Sequence, residues 1–106
     1  MIDTSRIDRL VADLGNGNPT VQRGAAAALG ALGAPAVPPL IGALKSSNLQ
    51  VQAWAPLVLG RIGDPALVPL IKPLKRGTTE ERQGAVLALG QMNNPDVLQL
   101  LVDTLE

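Results

Sequence analysis

A gapless period of 30 residues runs through this chain and restricts its fold more than any other feature. Residues 18–47 and 48–77 align end to end. The matched pairs include Asn18/Asn48, Val21/Val51, Gln22/Gln52, Ala25/Ala55, Leu29/Leu59, Gly30/Gly60, Gly33/Gly63, Pro35/Pro65, Pro39/Pro69, Leu40/Leu70, Ile41/Ile71, Leu44/Leu74 and Lys45/Lys75. Residues 78–106 keep the period, with Ala85, Leu89, Gly90, Pro95 and Leu100 in register. Residues 4–17 match only the second half of a unit: Ile7, Leu10, Val11 and Leu14 stand 30 before Val37, Leu40, Ile41 and Leu44. A unit this short cannot bury an apolar face alone, so its neighbours must stack on it. The expected organisation is one domain over 1–106, with a half-repeat at 1–17 and repeats at 18–47, 48–77 and 78–106.

Each unit reads as two helices. Val21, Ala25, Ala28, Leu29 and Leu32 fall on one stripe at helical spacing, and Val37, Leu40, Ile41 and Leu44 form a second. Asn18, Asn48 and Thr78 hold one register and suit helix N-caps; Pro19 follows at a first helical position, and Thr78 with Glu81 has capping-box spacing. Gly33, Gly63 and Asn93 share the register where the first helix should stop in a left-handed residue. Asp64 and Asn94 precede Pro65 and Pro95 and are expected to cap second helices. Gly30, Gly60 and Gly90 lie inside first helices, where glycine costs about 1 kcal/mol relative to alanine. Their repetition predicts a close crossing that a side chain would block. The expected fold is all-α, an α-solenoid of about seven short helices. Pro56 and Pro73 should each remove a backbone bond and kink a helix.

The strings PTVQRGAAAALGALGAPAVPPLIGAL and LQVQAWAPLVLGRIGDPALVPLIKPL resemble HEAT-like repeats of the phycobilin (phycocyanobilin) lyase type. That pattern has Val-Arg, then small residues, Ala-Leu-Gly, Gly-Asp-Pro, and a second helix with Val-Pro-x-Leu-Ile-x-x-Leu. The resemblance covers almost the whole chain. It implies an α-α superhelix whose second helices line a concave surface. Gln22 and Gln52 stand where the usual Arg would be, with Arg82 in the third unit; Glu81 replaces the valine. The turn reads Gly-Ala-Pro at 33–35 and Asn-Asn-Pro at 93–95. An interlocking Asp/Arg ladder between repeats is therefore expected to be incomplete.

Catalytic chemistry is not legible. The chain has no His to act as base or metal ligand and no Cys to act as nucleophile or thiolate ligand. Thr4, Ser5, Thr20, Ser46, Ser47, Thr78, Thr79 and Thr104 fall mostly at caps and turns. Glu80 and Glu81 occupy a first helical turn, where the dipole favours negative charge. Asp3, Asp8 and Asp13 recur every five residues and so rotate around a helix instead of converging. The expectation is a protein without enzymatic activity, cofactor or metal. Nucleic-acid and anionic-membrane binding are not expected, because 9 Lys and Arg balance 9 Asp and Glu, and Trp54 is the only aromatic residue. No apolar run reaches the roughly 18–20 residues of a membrane span. Asp3, Arg6, Asp8 and Arg9 do not read as a secretory signal, so a cytoplasmic location is expected.

What remains is binding of another protein. Opposite the apolar stripe of the second helices stand Arg9, Pro39, Pro69 and Gln99, then Ala12, Gly42, Lys72 and Val102, then Asp13, Ala43, Pro73 and Asp103. From these, Arg9, Pro39, Pro69, Lys72, Pro73, Gln99 and Asp103 are the candidate partner contacts on the concave face. Lys72, Lys75 and Arg76, with Arg82 following, form the one basic cluster; it reads as a solvated helix end or as a docking spot for an acidic partner. An accessory or chaperone-type role on phycobiliproteins is the second function the resemblance implies. A designed consensus array is disfavoured by the irregular Trp54, Pro56, Pro73 and Asn93. The last helix is apolar over more than one face, so self-association through a terminal helix or a covering neighbour is expected. Trp54 stands where the flanking repeats have Gly24 and Gly84, and reads as a packing residue or, alternatively, as an exposed anchor.

Overall fold

The computed structural model describes residues 4–92 and 94–105. Asp3 and Asn93, both named above, lie outside them. The first helices are α2 (Pro19–Leu32), α4 (Leu49–Ile62) and α7 (Thr79–Gln91), so helix starts recur at the sequence period. The second-helix layer holds α1 (Thr4–Asp13), α3 (Val37–Ala43, entered through a 3₁₀ turn at Ala34–Ala36), the pair α5 (Asp64–Leu67) and α6 (Ile71–Arg76), and α8 (Asp96–Leu105). Helix α4 packs between α2 and α7; α1 meets α3, and α6 meets α8. Counting the interrupted α5–α6 once gives the expected seven helices among the described residues. No strand occurs among the described residues. The molecule measures 39 × 27 × 23 Å. No single described helix is long and apolar enough to cross a membrane.

The core repeats with the sequence. Leu29, Leu59 and Leu89 are fully buried in one register, Leu40 and Leu70 in another, and Ala25, Ala55 and Ala85 lie beside them. Small residues between the leucines let the helices approach closely, which compensates for the missing aromatics. Trp54 is half-buried and packed against this core.

The caps are as the residue types dictate at α2, α4 and α7. Asn18 Oδ1 accepts from Thr20 N at 2.9 Å, and Asn48 Oδ1 from Gln50 N at 2.9 Å. Thr78 Oγ1 accepts from Glu81 N at 3.2 Å, while Glu81 Oε1 accepts from Thr78 N at 3.0 Å. Helices α2 and α4 end at Gly33 and Gly63, with φ 69° and 80°. Their ψ of −129° differs from the expected left-handed helical value. It puts both in a mirror-image extended region that only glycine enters cheaply. This turn also shifts the next start. Helix α5 begins at Asp64, which therefore is not its cap, whereas Asn94 Oδ1 does accept from Asp96 N at 2.9 Å.

Prolines divide the second helix of the middle repeat. Pro65, Pro69 and Pro73 are spaced four apart, so Pro69 cannot donate to the carbonyl of Pro65, nor Pro73 to that of Pro69. Two rungs on one face are lost, and residues 68–70 form a turn in which Ile71 N donates to Val68 O at 3.0 Å. The kink expected at Pro73 thus falls upstream of it: α6 starts at Ile71, and Pro73 stands in its first turn. Pro56 is buried, and α4 continues through it.

Amide bridges take the place of an ionic ladder. Gln22 is buried, and its Nε2 donates to Leu14 O at 3.2 Å and to Gln50 Oε1 at 2.6 Å, tying the half-repeat, the first repeat and the second together. Asn94 Nδ2 donates to Asp64 Oδ1 at 2.6 Å across one period. The glycine crossing is real but graded. A Cβ on Gly60 would collide with Cβ of Gln91 and stand 3.1 Å from the Ala88 carbonyl. At Gly30 it would meet only the Arg61 side chain, at 3.0 Å. At Gly90 it would meet open space.

Candidate functional site

The turn after α3 brings Lys45 opposite α6. Ile41, Gly42 and Lys45 on one side and Lys72, Pro73 and Arg76 on the other, with Gly77 and Glu81, line a cleft of about 330 Å³. Lys72 and Arg76 are four apart and share a helix face, so both also line a neighbouring depression of about 380 Å³ with Val68, Ile71 and Lys75. A Cβ on Gly42 would meet open space, whereas one on Gly77 would run into the Pro73 carbonyl and Cβ of Glu81, so Gly77 lets α6 and α7 approach at the edge of the cleft. Lys45, Lys72, Lys75 and Arg76 are all exposed.

Glu81 is the single acidic group in the wall of either depression. Its carboxyl is held below the ordinary value, first by the hydrogen bond from the Thr78 backbone, with the Thr78 hydroxyl and the charges of Lys45 and Lys72 adding; partial burial opposes them. A depressed folded-state value means that the ionised carboxylate stabilises the fold above the unfolded value near 4.5 and that this contribution fades as the pH falls through the folded value. Melting curves between about pH 5 and pH 3 should therefore show a shallower acid loss in Glu81→Gln than in the parent protein. An identical acid limb in both would remove Glu81 from this role.

The candidate contacts named from the sequence divide as follows. Lys72 and Pro73 meet in the cleft, but Pro73 is buried at its base and Lys72 is exposed on its wall. Pro73 holds the register of Ala43, which is buried as well, so it contributes to the lining of the cleft and is not an outward-facing contact. Arg9 on α1 and Pro69 in the turn are exposed, and Pro39 on α3 is half-buried; none of the three lines the cleft. Gln99 and Asp103 are exposed on α8 and bonded to each other, Nε2 to Oδ1, at 2.8 Å. Arg82 leaves the basic cluster and lies on α7 beside Gln83, Val86 and Leu87. Lys45 and Ile41 were missed. Their signal was present in the repeat, since Lys45 and Ile41 are the counterparts of Lys75 and Ile71.

Two layers of paired helices, repeating every 30 residues and sharing one core, define an α-solenoid. A family model for HEAT repeats matches residues 7–81, and one for the PBS lyase HEAT-like repeat matches residues 81–106. The chain belongs to the HEAT-repeat family. A search of curated proteins finds no match. HEAT repeats generally mediate protein–protein interaction, and a protein partner is the class this architecture supports.

Proposed function

We propose that this chain is a non-catalytic scaffold that holds another protein on its second-helix layer. The observation that carries the reading is the apolar surface left bare there. Val68 and Leu98 are each 71% exposed, Pro69 is exposed beside Val68, and Val102 follows Leu98 by one turn of α8. Leu49, Leu57, Val86 and Leu87 are also exposed on the first helices, so exposure alone does not single out a layer. What favours the second-helix layer is that Val68 there adjoins the cationic depressions, where a solenoid presents a partner-binding surface. The test is a pair of pull-downs from the native cell, with the parent protein and with Pro39→Glu/Pro69→Glu/Lys72→Glu. Proteins retained by the parent and lost by the variant, with helicity unchanged by circular dichroism, support the reading. The same proteins retained by both would sink it.

The match of residues 81–106 to the PBS lyase HEAT-like repeat favours a second reading, an accessory factor acting on phycobiliproteins. A coloured adduct on mixing with a bilin would select it over the scaffold.

A further inference from the structure

We propose that the cleft between Lys45 and α6, together with the adjoining depression on α6, takes an acidic peptide segment of the partner, with carboxylates on Lys45, Lys72 and Arg76 and an apolar side chain on Val68 and Ile71. This rests on the scaffold reading and names the chemistry of its occupant. Charge complementarity is the first ground. The chain as a whole is neutral, yet Lys45, Lys72, Lys75 and Arg76 gather on two adjoining depressions. Among the described residues none of the three central cations forms an ion pair. Their only acidic neighbour in the walls, Glu81, already accepts from the Thr78 backbone. Lys72 and Arg76, four apart on one helix, repel each other, and an anion between them and Lys45 removes that repulsion.

The shape is the second ground. The two depressions share Lys72 and Arg76, so they form one track with a charged ridge in the middle. Ile41 and Pro73 lie on one side of that ridge, and Val68 with Ile71 on the other. An extended segment that alternates acidic and apolar residues matches such a track, whereas a small free anion would leave the apolar ends uncovered. Single-stranded nucleic acid needs aromatic platforms, and the one aromatic residue, Trp54, belongs to α4 and packs against the core.

The experiment measures fluorescence anisotropy of a labelled peptide of Glu and Asp interrupted by Leu. Its partners are the parent protein, Lys45→Glu/Lys72→Glu/Arg76→Glu, and a control with the same charge change elsewhere, Arg6→Glu/Arg23→Glu/Arg82→Glu. Binding should weaken as salt rises, fall at least about tenfold in the cleft variant, and stay within about twofold in the control. Equal loss in both variants, retention by the cleft variant, or no binding by the parent would overturn the proposal. So would equally tight binding of labelled oligo-dT. A negative peptide result, together with partners that the parent captures and the Pro39/Pro69/Lys72 variant does not, rejects the acidic occupant while leaving the binding layer standing.

Discussion

Alanine in place of Leu44 should lower the unfolding free energy by about 3–5 kcal/mol, the upper part of the range for a buried leucine. Leu44 closes α3 and is fully buried. Its Cδ2 lies 2.8 Å from the position a Cβ would take on Gly84, so it reaches from the first repeat to α7 in the third. Removing it opens a cavity that three helices must share, and stacked rigid helices collapse into such a space poorly. A chain of this size has roughly 5–15 kcal/mol to lose, so the loss is a large part of the whole. Urea unfolding measures it. Leu49→Ala is the control, because Leu49 is 75% exposed and its loss should cost within about 0.5 kcal/mol. Equal midpoints for the two variants would mean that Leu44 does not join the repeats.

Alanine at Gly60 and alanine at Gly90 should have opposite effects. In an isolated helix either change gains about 1 kcal/mol. At Gly60 the new methyl meets Cβ of Gln91, an atom fixed to the α7 backbone, and approaches the Ala88 carbonyl. Neither can swing aside, so α4 and α7 must separate, and the net loss should be about 1–3 kcal/mol. At Gly90 nothing stands within 4 Å, so the gain should survive nearly intact. Thermal melts of the two single variants decide this. A stabilised Gly60→Ala would show that the crossing is looser than the geometry requires.

Those glycines also mark what could be read before folding. Leu29, Leu59 and Leu89 give the core register directly, because burial repeats wherever the pattern does. The caps at Asn18, Asn48 and Thr78 were equally plain, since each depends on one side chain and the backbone two or three residues ahead. The break at 68–70 was hidden, although all three prolines were visible. Its cause is their spacing of four, which places each missing donor against the carbonyl of another proline. The Gln22–Gln50 bridge was hidden too. The repeat points to Gln52 as the counterpart of Gln22, and the contact falls on Gln50 because it depends on how α2 and α4 are turned against each other. For the cleft, the basic cluster on α6 was legible, but Lys45 was absent from it. Its approach to Lys72 crosses a repeat junction, and distance along the chain conceals such contacts.

The break in the middle repeat sets the two walls of the cleft on different supports. Lys45 is carried by the end of α3, whose Leu40 and Leu44 are fully buried. Lys72 and Arg76 ride on α6, six residues long, seated by the buried Leu74 and tied to α5 where Leu70 N donates to Ala66 O at 3.1 Å. Pro69 and Pro73 each fix one backbone angle on either side of Lys72. The gap between Lys45 and Lys72 is thus set by proline rings and buried leucines, not by an unbroken helix, and an occupant meets cations whose spacing is already in place.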